Sequence, residues 1–141
     1  MIRLGVVAFS CLLAGGCGDD GGGEVQCLEP LEQSCGIIWN DYDAIYRNLI
    51  MPRCGSGTGD GFCHATGGPT DLDLSDPDVA YQALLGDAPS GPRVIPGDPE
   101  CSELIKRLDS KDPAYRMPRG SSLKPEELCS VVHWVSAGAD R

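Results

Sequence analysis

Residues 54–64 read Cys-Gly-Ser-Gly-Thr-Gly-Asp-Gly-Phe-Cys-His. Any fold of this chain must place two thiols, eight glycine-rich residues apart, beside one of only two histidines in the sequence. Such thiols have two chemical fates. They close on each other as a cystine, or both attach to a prosthetic group whose metal the adjacent imidazole can reach. The compartment and the packing available around the segment bear on which fate is open.

The N-terminus points to export. Met1-Ile-Arg3 carries one positive charge, and the apolar run Leu4 to Leu13 is too short to span a bilayer. Ala14-Gly-Gly16 then precede Cys17. This resembles the lipobox of bacterial lipoproteins, in which a leucine-small-small-cysteine run is cleaved and its cysteine lipidated. Here Ala14 takes the leucine position and Leu13 lies one residue upstream; Cys11, with Phe9 close before it, fits less well. The expected organisation is a signal peptide over 1–16, a lipid on Cys17, a Gly- and Asp-rich tether over 17–26 and one domain over 27–141. The expected location is the bacterial cell envelope, as a periplasm-facing or outer-membrane lipoprotein.

Six thiols then remain in an oxidising compartment: Cys27, Cys35, Cys54, Cys63, Cys101 and Cys129. Cys27 and Cys35 bracket seven residues, which predicts a small local disulfide. Cys101 and Cys129 stand at expected helix starts and would bridge the 27 residues between them. Cys54 with Cys63 is the competing cystine.

The net charge of −10 excludes a phosphate-binding face of the kind nucleic acid requires. The charge is uneven: residues 17–100 hold 15 acids and 3 bases, residues 101–141 hold 6 and 7. Lys106, Arg107, Lys111, Arg116 and Arg119 form a candidate docking face within the second part. Asp71, Asp73, Asp76 and Asp78 lack the glycine and glutamate of a calcium loop and suit turn and cap duty. There is no nucleophile-base-acid motif, phosphate loop or closed zinc set, so the chain reads as a carrier or binding module rather than an enzyme.

The periodicity is helical throughout. Tyr42, Ile45, Tyr46 and Leu49 fall at i, i+3, i+4 and i+7 on a helix over 41–51, capped by Asn40 and stopped by Pro52. Asp76-Pro77 opens a second helix that Gly86 ends, and Asp98-Pro99 opens a third carrying Leu104, Ile105 and Leu108. Leu128, Val131, Val132 and Val135 form the seam of a last helix from Pro125 to Gly138, with His133 pointing away from it. The fold class is all-α: about four short helices with long loops, of the kind that disulfides or a wrapped cofactor stabilise.

In order along the chain stand Ile50 leading to Cys54, Cys63-His64 with Gly67-Gly68, Asp71-Leu-Asp-Leu74, Val94-Ile-Pro-Gly-Asp-Pro99 with Ser102 and Leu104, Arg116-Met117-Pro118, and Leu123 through Glu127 to Trp134-Val135 and Gly138-Ala139. This set, covering roughly Asp41 to Asp140, resembles the cytochrome c-like domains of exported bacterial proteins, especially lipoproteins of planctomycetes and myxobacteria. The resemblance implies a helical cytochrome c fold with one haem c. It implies thioether attachment at Cys54 and Cys63, His64 as proximal iron ligand, Met117 as distal ligand and redox proteins of the envelope as partners. The departure is the gap between the cysteines, eight residues where the family has two. The alternative function is a haem-free, disulfide-stapled lipoprotein with the same fold, acting in binding or envelope structure.

Overall fold

A computed structural model describes residues 26–31, 34–57, 59–86 and 92–141. The expected signal peptide and the lipidation candidate Cys17 lie outside them, as does all but the last residue of the tether. Among the described residues all regular structure is helical, and no helix is long and apolar enough to cross a membrane.

The first helix, α1 (Tyr42–Ile45), starts one residue later than the sequence suggests. Asp41, not Asn40, is its cap, accepting from Ala44 N–H at 2.7 Å. Nor does the helix stop at Pro52: it continues as a π-helical segment, Tyr46–Gly55, with the proline inside it. A proline ring in an α-helix meets the carbonyl four residues back and leaves a missing hydrogen bond. The wider π winding moves that carbonyl aside, so the chain stays helical through Cys54. The expected apolar stripe is fully used, since Tyr42, Ile45, Tyr46 and Leu49 are all buried.

A 3-10 segment, Gly59–His64, follows and packs on the π-helical segment. Three other helices complete the domain: α2 (Pro77–Leu85), α3 (Glu103–Asp109) and α4 (Pro125–Ser136). Asp76 caps α2 as expected, accepting from Asp78 and Val79 N–H at 2.9 and 3.1 Å. Helix α3 starts later than Asp98-Pro99 predicts. Asp98 instead accepts from Cys101 N–H at 3.1 Å to close a turn, and Ser102 stands at the cap. That serine is fully buried, with its hydroxyl accepting from Ile95 N–H and donating to the Asp98 carbonyl. The helices meet at one core, where Val131, Val132 and Val135 of α4 face Ile105 of α3 and Tyr42 and Ile45 of α1; His133 is exposed.

The disulfides differ from the local pairings expected. Cys27 bonds to Cys101, and Cys35 to Cys129. The reason lies in the backbone around them. Residues 27–31 are bonded to the turn before α3, and residues 38 and 39 to α4, rather than to each other. Leu28 N–H donates to the Glu100 carbonyl at 3.0 Å and Leu31 N–H to the Glu100 carboxylate at 3.2 Å. Ile38 and Trp39 N–H both donate to the buried Ser130 hydroxyl of α4. A segment satisfied in this way delivers each of its cysteines to a different helix.

Candidate functional site

Cys54 lies in the last turn of the π-helical segment and Cys63 in the 3-10 segment, and these two segments pack on each other. The glycine next to Cys54 serves close packing rather than freedom. A Cβ on Gly55 would stand 2.1 Å from the Leu74 carbonyl oxygen. The packing of the two segments brings Cys63 within electrostatic range of Cys54. Burial pushes the Cys54 thiol up to about 11; Arg53 opposes the rise and Cys63 adds to it. Both sulfurs are free thiols, half-buried and unbridged. The competing Cys54–Cys63 cystine is not formed.

Arg53, beside Cys54, pairs at 3.0 Å with Glu127 of α4, whose carboxylate also accepts from Lys124 N–H. This ties the thiol-bearing segment to the last helix. On the other side, the segment after His64 folds back, with Leu74 N–H donating to the His64 carbonyl at 2.6 Å. Asp73 holds that return, accepting from Ser75 N–H and hydroxyl and from the Thr66 hydroxyl. Two of the four clustered aspartates, Asp73 and Asp76, thus do turn and cap work, and Asp78 pairs with Arg141.

His64 and Met117 line one cavity of about 470 Å³. Thr70, Asp71, Leu72, Leu84 and Arg93 also line it, with Glu103, Leu104 and Arg107 of α3. Cys54 and Cys63 are not among its lining residues. Met117 is placed by its backbone N–H, which donates to the Arg107 carbonyl at 3.0 Å. The loop before it is held by Tyr115, whose hydroxyl donates to Glu103 while Arg107 stacks 4.4 Å from the ring centre. Burial raises the Glu103 carboxyl, but hydrogen bonds from Tyr115, Lys106 and Arg107 outweigh it and leave the group below its ordinary value.

Nδ1 of His64 stands 2.9 Å from the Thr70 hydroxyl. Burial holds the imidazole below its usual value; a hydrogen bond to the Leu72 backbone opposes this, and Arg93 and Arg107 reinforce it. A neutral imidazole and a neutral thioether on one cavity are a donor pair for a soft or borderline transition metal. Among the described residues there is no group of three or more His, Cys, Asp or Glu that could hold a metal ion by themselves.

The sequence named His64 and Met117 but missed the cavity's two arginines. Arg107 was read as part of a docking face, yet it turns inward and is bound to Glu103 at 2.7 Å. Lys106 is also paired with Glu103, whereas Lys111 and Arg119 are exposed. Arg93 lies in a polar loop with no periodicity, and no signal in the sequence marks it.

Short helices, two long-range disulfides and a cavity lined by one histidine and one methionine define a small, disulfide-stabilised all-α domain. Residues 62–120 match the family model described as Planctomycete cytochrome C, so this stretch is similar to cytochrome c-like domains of the planctomycete type. The match takes in Cys63, His64 and Met117 and leaves Cys54 and α4 outside it. No curated protein and no solved structure matches the chain.

Proposed function

We propose that this chain is a membrane-anchored, c-type cytochrome-like electron carrier that holds one haem, whose iron His64 and Met117 would ligate. One observation carries the reading: these two side chains, far apart in the sequence, line the same cavity, whose size is in the range that encloses small cofactors. When bound, the haem supplies a one-electron iron couple, and a methionine ligand favours a relatively high potential.

Cys54 and Cys63 are the attachment residues. Their thiols would hold the haem covalently, as thioethers. Free thiols are the state this attachment needs, and both cysteines are in it. Arg93 and Arg107, paired on the cavity wall with Asp71 and Glu103, are the cations that the carboxylates of a haem would meet there. Leu72, Leu84 and Leu104 supply apolar contact and exclude water from the iron ligands. The role proposed is carriage of an electron between redox proteins of the cell envelope. A lipid on Cys17 would hold the domain at the membrane, in the periplasm or on the outer membrane.

The test is a visible spectrum of the chain exported from a host with haem-attachment machinery, before and after dithionite. A Soret band with sharp reduced α and β bands is expected, and Met117→Leu should keep the colour while lowering the midpoint potential. A colourless protein from that host would end the proposal.

A further inference from the structure

Thr70 belongs neither to the thiol pair nor to the axial pair, yet its hydroxyl meets three groups. These are His64 Nδ1 at 2.9 Å, the Cys63 carbonyl oxygen at 2.7 Å and the Leu72 carbonyl oxygen at 3.3 Å. A hydroxyl has one proton to give, and carbonyl oxygens can only accept. If Thr70 gave its proton to His64, the 2.7 Å approach to the Cys63 oxygen would set lone pair against lone pair. The Cys63 carbonyl also lies in the last turn of the 3-10 segment, where carbonyls lack partners within the helix. Both considerations put the Thr70 proton on Cys63. The imidazole must then donate from Nδ1, and a neutral ring with its proton there keeps the lone pair on Nε2.

We propose that Thr70 is a positioning residue: it accepts from Nδ1–H of His64, fixes that tautomer and leaves Nε2 as the ring's metal-binding atom. A metal-ligating histidine commonly donates its other ring N–H, which orients the ring and raises its donor strength. Here a side-chain hydroxyl relays that bond to the backbone of the neighbouring attachment cysteine. The Asp73 contacts to Thr66 and Ser75 hold the rest of the turn that carries Thr70. The purpose of the tautomer rests on the haem reading, but the tautomer itself is a property of the haem-free chain.

Long-range ¹⁵N correlation spectra of the haem-free mature chain, above the imidazole titration, read the tautomer directly. His64 should be mostly Nδ1–H in the wild type and in Thr70→Ser, and mostly Nε2–H in Thr70→Val. The exposed His133 should be the same in all three. In haem-loaded protein, Thr70→Val should shift the midpoint potential upward and Thr70→Ser should restore it. Mostly Nε2–H in the wild type, or no change in Thr70→Val, overturns the proposal. The Nδ1–H tautomer in a chain that takes up no haem would support this inference while removing the functional reading.

Discussion

The two disulfides cross-link one ring, and removing either should cost nearly the same despite their different sequence separations of 74 and 94. Alone, each would close a long loop, and chain entropy gives about 4.5 kcal/mol for Cys27–Cys101 and about 4.7 for Cys35–Cys129. They are not independent. Once either exists, the other closes a shorter ring, from Cys35 back to Cys27, across to Cys101 and on to Cys129. That ring holds roughly 38 residues whichever bridge comes second, worth about 3.9 kcal/mol. Cys27→Ala/Cys101→Ala and Cys35→Ala/Cys129→Ala should therefore lose similar stability in guanidinium unfolding, and neither should gain free thiols. Trypsin under non-reducing, acidic quench conditions tests the pairing itself. No Lys or Arg lies between Cys27 and Cys35, so both leave on one fragment, while Cys101 leaves on Val94–Lys106 and Cys129 on Gly120–Arg141. A three-fragment assembly is expected, and cutting at Glu29 or Glu32 should divide it into two pairs. A Cys27–Cys35 fragment with an internal bond, or two new thiols in either double variant, would refute the reasoning.

Other expectations concern the frame of the site. Gly55→Ala sets a methyl against the Leu74 backbone and should cost roughly 2–3 kcal/mol in thermal unfolding. Gly67→Ala, in open space at φ +78°, should cost only the left-handed penalty of about 1–2 kcal/mol; equal losses would contradict the packing argument. Arg53→Met strands the buried Glu127 carboxylate, and with the arginine one-third exposed the loss should be about 1–2 kcal/mol, checked by denaturant titration. Glu103 has its folded value below its unfolded one, so its contribution is present above about pH 4.5 and is lost as pH falls through the folded value. The stability gap between wild type and Glu103→Gln should accordingly narrow on acidification, and a gap independent of pH would count against the Tyr115–Glu103–Arg107 arrangement.

What was legible in the sequence was whatever repeats with the helix. The stripe from Tyr42 to Leu49 and the seam from Leu128 to Val135 gave α1 and α4, and Asp76-Pro77 gave the start of α2. The family resemblance also named His64 and Met117 as ligand candidates, which the fold brings to one cavity. The errors came from treating spacing as contact. Cys27 and Cys35 are close in sequence, but hydrogen bonds tie their segment to Glu100, before α3, and to Ser130 of α4. Pro52 reads as a stop, yet π winding carries the helix past it to Cys54. Thr70, Arg93 and the inward turn of Arg107 depend on long-range folding, and no local pattern announces them.

The central claim is that Cys54 and Cys63 hold a haem between His64 and Met117. Its most direct test is mass analysis of the mature chain exported with haem-attachment machinery, followed by trypsin. Cys54 and Cys63 share one fragment, running from Cys54 to Arg93. The account predicts that this fragment carries the added mass of one haem after acid–organic extraction. The same fragment at its bare mass, with two free thiols or one cystine, would contradict it.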